Sequence, residues 1–282
     1  MNNHVNSLML KRNQRINKAT TFQLSIFNFQ FTKYIVFLLC GMLAVSCEID
    51  NYDGPNATIQ GTFYDHTGQP LQVNQGSEYL RAREVSWAKN DEMFVGNQRL
   101  KLQQDGTYRH TKWFSGEYLF LPYAGNFYPY DDVKKDGDDA GELVKVSGSA
   151  TKDFTVTPYL TIEWVKKPTV GADGFLECSV RFKRNQKAGY EMPDVREAWL
   201  RVSRSVNANA ADGQYFKVKK DITNAMEGEE ITFRSDIALK YTGIDYWIRI
   251  SMDCQTAAGK PETNYPGMGE DNFSTIEKIH VP

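Results

Sequence analysis

The sequence predicts an all-β protein of two β-sandwich domains behind an export segment, and three observations lead there. Short runs of apolar and polar residues alternate with period two and are bounded by Gly, Pro, Asn and Asp, which is the pattern of half-buried strands. Sustained helical periodicity is missing. Residues 34–45 (YIVFLLCGMLAV) carry no charge and follow Lys11, Arg12, Arg15, Lys18 and Lys33 with no acid among them, the basic and apolar regions of a signal peptide. As a helix that run would rise only about 18 Å against a hydrocarbon core of roughly 30 Å, too short to stay as a membrane span.

Taken in order, residues 1–46 are expected to be the signal peptide. Ala44, Val45 and Ser46 lead directly into Cys47, a junction that resembles the lipobox of bacterial lipoproteins. That resemblance implies cleavage before Cys47, acylation of the cysteine and a lipid anchor. Residues 47–56 then form the tether. Its acidic start (Glu48, Asp50, Asp53) resembles the surface-export signal of lipoproteins of certain Gram-negative gut anaerobes, which implies an outer-membrane address facing the cell exterior. Five of the 33 basic residues fall in the first 47 positions, which hold no acid, so 28 remain against 35 acids, a formal charge of −7. A chain this acidic lacks the basic footprint that nucleic acid requires.

In the first domain, expected at 57–153, ATIQGTFYD runs into the turn HTGQP, RLKLQQDGTYRH carries Asp105-Gly106 as a hairpin signal, and GEYLFLPY is a further strand. In the second, expected at 154–282, YLTIEWV, FLECSVRF, EAWLRVS, YWIRISMD and TIEKIHV are strands at similar spacing, as in an immunoglobulin-like sandwich. The stretches IQGTFYDHTGQPLQV, DGTYRH and SGEYLFLP resemble the prealbumin-like, carboxypeptidase-regulatory type of sandwich. With NYDGPNAT ahead and TPYLTIEWV behind, the chain beyond Cys47 resembles the domain-of-unknown-function family 3823. The resemblance implies a two-domain outer-membrane lipoprotein in the company of SusC/SusD-type nutrient importers, with polysaccharide or oligosaccharide as cargo. Its motifs are architectural, so it implies location and company more firmly than activity.

The residues themselves offer little catalytic chemistry. The only histidines beyond Cys47 are His66, His110 and His280, and no H-E-x-x-H, G-x-S-x-G or C-x-x-C spacing occurs. No enzyme, cofactor or metal is therefore expected. The loop DDVKKDGDDAGE holds Asp131, Asp132, Asp136, Asp138, Asp139 and Glu142, oxygen ligands that suit calcium, but the spacing is not that of an EF-hand and a solvated loop is the plainer reading.

Aromatic residues are the richer signal. Tyr123, Phe127, Tyr128 and Tyr130 lie among Pro and Gly, either exposed for stacking on sugars or a partner, or folded back over the sandwich end. Strand parity puts Trp199 with Glu197 and Arg201, and Trp247 with Arg249 and Asp253, on the face opposite the core residues. In immunoglobulin-like topology the two strands are neighbours, so the indoles can form a strip. Three arrangements stay open: a sugar-stacking surface, a face docked on the first domain or an importer, or a different strand order. Cys178 and Cys254 share parity with core residues, either bridged between the second and sixth strands or as buried thiols. The expected function is a non-catalytic surface lipoprotein assisting glycan capture by the importer, the alternative being a structural subunit packed against it, with oligosaccharide or peptide as cargo.

Overall fold

The computed structural model describes residues 54–87, 96–130, 141–208 and 215–282. The signal segment, Cys47, the first part of the tether and the acidic loop residues Asp131, Asp132, Asp136, Asp138 and Asp139 lie outside the described residues. Sixteen strands and two single-turn 3-10 helices make up the described part.

The first sandwich begins with β1 (Ala57–Asp65), whose side chains alternate between Ala57, Ile59, Phe63 and Asp65 facing inward and Thr58, Gln60, Thr62 and Tyr64 facing outward. β1 pairs with β4 (Thr107–Trp113) on one edge and, in parallel, with β7 (Ser149–Thr151) and β8 (Phe154–Val156) on the other. Between β7 and β8 the chain passes so close to β1 that a Cβ on Gly61 would lie 1.9 Å from the Lys152 carbonyl oxygen. Glycine is required there because two backbones meet. The opposing sheet has the order β3 (Gln98–Leu100), β2 (Leu80–Glu84), β5 (Gly116–Pro122), β6 (Glu142–Val146). Ile59, Phe63, Tyr108, Phe120, Phe127 and Phe154 fill the space between, all 2% exposed or less.

Two expectations for this half need correction. The Asp105-Gly106 turn is present, with Gly106 at φ 78° and its N–H donated to the Gln103 carbonyl. Its arms do not form a hairpin, however: β3 pairs with β2 and β4 with β1. Leu100 and Leu102 are buried, and beyond the single Gln103 N–H bond to the Thr107 carbonyl across the turn, the backbone of Leu102 and Gln104 is bonded to the 73–77 segment instead of to β4. The expected boundary at 153/154 also falls too early, since Phe154 and Val156 belong to the first core.

The second sandwich sets β13 (Ile231–Arg234), β10 (Leu176–Arg184) and β9 (Leu160–Val170) in one sheet. The other is β12 (Phe216–Asp221), β11 (Asp194–Ser203), β14 (Ile244–Gln255) and β16 (Glu277–Val281), with the two-residue β15 (Asn272–Phe273) also on β14. This three-plus-four arrangement is immunoglobulin-like, with β10 and β14 as the second and sixth strands. Cys178 and Cys254 are buried as their parity requires, but both are free. Cys254 sits near Arg184, at the far end of β10 from Cys178. Six residues of strand separate those positions by roughly 20 Å, well beyond the ~7 Å limit for a bridge.

Candidate binding hollow at the junction of the sandwiches

On β11 and β14 the core-facing residues Ala198, Leu200, Val202, Ile248, Ile250 and Met252 are fully buried. Trp199, Arg201, Trp247, Arg249 and Asp253 therefore point away from the core of their own sandwich. Antiparallel register places Trp199 opposite Ser251, Arg201 opposite Arg249 and Ser203 opposite Trp247. The indoles are thus four residues apart along the sheet, about 13 Å at strand rise, and the expected side-by-side strip does not form.

Two arginines fill the gap, and neither is exposed. Arg249 lies over the Phe273 ring, 4.1 Å from its centroid, and donates from Nη1 to the Val73 carbonyl of the first sandwich at 3.0 Å. Burial, then the neighbouring Arg201, push its pKa below the usual guanidinium range. Arg201 donates from Nη2 to Asp271 at 2.7 Å and from Nε to Ser251 Oγ at 2.6 Å. This part of the face is docked against the first sandwich and the 269–275 segment, so these two guanidiniums serve the junction. Asn126 reinforces it by donating from Nδ2 to the carbonyls of Gln72 and Asp271, and Tyr79 donates its hydroxyl to Glu270.

Where the junction opens, Trp199 forms a wall of a hollow of about 290 Å³. Asn74 of the first sandwich, Arg196, Glu197, Arg201, Lys217, Asp253, Gly269, Glu270 and Asp271 complete it. The indole is half-buried; its N–H donates to Glu197 at 2.9 Å, and Lys217 Nζ stands 4.8 Å from the ring centroid. Asp253 is paired with Arg196, yet burial still holds its carboxyl above the ordinary range. Burial does the same to Asp271 despite Arg201, whereas the Lys219 hydrogen bond holds Glu197 low. An indole edged by fixed carboxylates and guanidiniums offers apolar contact and hydrogen bonds of both senses, which suits a polyhydroxylated ligand.

Of the residues singled out from sequence, the hollow unites Trp199, Arg201 and Asp253. Trp247 lies apart, in a shallow depression with Arg204 and Asp245 and with Lys278 Nζ 5.5 Å from its ring centroid. The loop aromatics are folded back. Phe127 is in the first core beside Tyr79, and Tyr128 is in the second, 4.9 Å from Tyr159, with its hydroxyl donated to the Asn185 carbonyl. Tyr130 bonds Glu142 and meets Phe154 edge-on, and Tyr123 lies under the Arg81 guanidinium. Sequence reasoning missed Asn74, Arg196, Lys217, Glu270 and Asp271. Lys217 was discoverable as the polar phase of the alternating FKVKKD strand; Arg196 sits at the register shift of β11, which breaks parity there, and Asn74, Glu270 and Asp271 sit in turns that carry no periodic signal.

Among the described residues no three His, Cys, Asp or Glu side chains are arranged to hold a metal. Residues 57–157 match the family model described as the N-terminal domain of the DUF3823 proteins of unknown function. No curated protein matches the chain. Among solved structures, a DUF3823 family protein from Bacteroides uniformis is 23% identical with a TM-score of 0.64, the match covering 81% of this chain and all of that one. A second Bacteroides uniformis protein, provisionally named a carbohydrate binding protein, is 20% identical with a TM-score of 0.56 over 81% of this chain and all of its own. A DUF3823 family protein from Parabacteroides merdae is 17% identical with a TM-score of 0.55, covering 80% and 100%. Identities this low carry the fold.

Proposed function

We propose, for a chain whose first sandwich matches the model of the DUF3823 N-terminal domain, a non-catalytic role as a lipid-anchored protein of the outer cell surface. Its junction hollow holds a sugar unit of a glycan destined for a SusC/SusD-type importer. The observation that carries this reading is Trp199, an indole at the wall of a hollow whose polar groups come from both sandwiches. The solved structure provisionally named a carbohydrate binding protein supports the same ligand class. The anchor follows from Cys47, since acylation at more than one position gives stable membrane attachment where one chain does not.

A second reading, a structural subunit packed against the importer, is favoured by the crowding of Trp199 by Lys217 and Lys219. The two separate on native gels cast with a panel of polysaccharides. Capture predicts retardation by at least one glycan, weakened up to roughly tenfold by Trp199→Ala, the size of one lost aromatic contact, and unchanged by Trp247→Ala. Silence across the panel from folded protein, together with co-purification with the importer, establishes the structural subunit instead. Cys47→Ala should move the protein out of the outer-membrane fraction, and retention there overturns the anchor.

A further inference from the structure

We propose that Trp87 and Phe114 seat the first sandwich on the lipid surface to which the chain is anchored. The proposal rests on the lipid anchor at Cys47.

The two rings are 48% and 40% exposed and touch edge to face, with centroids 5.6 Å apart. They form one apolar feature, of the kind that marks a contact site when left open. The backbone at Trp87 is held in place by its amide N–H, which donates to the Glu84 carboxylate at 3.0 Å. Phe114 occupies the turn between β4 and β5.

The fold puts this pair at a particular pole. Ala57, the first residue of β1, is opposite Trp113 in register, and Ser115 Oγ donates to Asn56 at 3.0 Å. The chain therefore leaves towards Cys47 beside the pair. The other end of β1, with Asp65 and the following Gln72 and Val73, meets the second sandwich. Tether and aromatic pair thus share the end of the molecule remote from the second sandwich. Eight residues separate Cys47 from Asn56, nine Cα–Cα steps with a reach of at most about 30 Å when fully extended. A lipidated Cys47 confines this pole, and not the junction hollow, to the neighbourhood of the bilayer.

The chemistry of the pole suits the bilayer boundary. Indole combines an apolar ring with one N–H donor and concentrates at membrane–water interfaces. Exposed Lys112 and Lys145 lie on β4 and β6 close to the same end, and supply cations for lipid phosphates. Resting on these side chains would hold the sandwich upright and keep the hollow facing outward.

The test uses the full lipidated chain in mixed phosphatidylcholine–phosphatidylglycerol vesicles containing lipid brominated near the headgroup. Flotation reports the anchor, and bromine quenching of tryptophan emission reports the pair. The expected result is flotation with quenching that falls sharply in Trp87→Phe, leaving at most the contribution of Trp113 at the same pole, and weakens in Phe114→Ser, both with unchanged far-UV spectra. Flotation with the same quenching in parent and Trp87→Phe overturns the proposal alone. So does an unquenched pair that becomes protected only when purified importer is added, which assigns it to a protein face. A lipidated chain that does not float overturns the anchor reading, and the proposal with it.

Discussion

Replacing Arg201 by Met keeps the length and apolar volume of the side chain while removing its charge from the junction. Its partner Asp271 is left behind: the two side chains are 5% and 13% exposed and 2.7 Å apart. At an effective dielectric of about 20 the attraction across that distance is roughly 6 kcal/mol, part of which the desolvation of both groups offsets. Breaking a buried pair from one side costs about 3–5 kcal/mol, because the remaining charge stays desolvated. In a chain of this size that corresponds to a loss of roughly 10 °C or more in Tm. The pH dependence identifies the cause. Burial already raises the Asp271 pKa above its unfolded value with Arg201 present, and without the guanidinium it rises further. A carboxyl raised on folding takes up its proton more readily in the native state, so the penalty is full above the folded pKa and fades as pH falls through it. Urea titrations of parent and Arg201→Met at neutral and mildly acidic pH should converge on acidification. Arg201→Met with Asp271→Asn should recover most of the loss at neutral pH. A single variant within about 1 kcal/mol of the parent, or a double variant no better than the single, would refute the argument that a desolvated charge pair holds the 269–275 segment to the sheet.

Two further outcomes test the packing. Gly267 has φ 74°, and a Cβ there would lie 2.2 Å from the Ala124 carbonyl carbon, so Gly267→Ala should cost about 3 kcal/mol from left-handed strain and overpacking together, read as a lower denaturant midpoint at unchanged m value. Cys178 and Cys254 should both resist alkylation in the native protein, burial pushing the Cys178 thiol up to about 12 and Cys254 upward likewise; both should be modified in denaturant without reductant, and failure to label them there would restore the bridge.

The sequence by itself determined the strand class and the faces of the strands. Period-two alternation is a local property, so Ala198, Leu200 and Val202 could be assigned inward and Trp199 and Arg201 away from the core before any neighbour was known. The signal-like run and the junction at Cys47 are equally local. What local reading could not supply was register and company. Parity says only which side of a sheet Arg201 and Arg249 take and left open whether a sugar, a partner or the first domain meets that side; that the first sandwich covers it follows from Val73, 176 residues away from Arg249 in the chain, accepting its hydrogen bond. Phe127 and Tyr128 were indistinguishable from exposed loop residues, since adjacent aromatics among Pro and Gly carry no period, and only the tertiary structure places one in each core. The offset of the two tryptophans, the separation of the two thiols and the hollow at the junction arise the same way. Each depends on which strand lies opposite which, and that is decided by burying two cores and the surface between them at once.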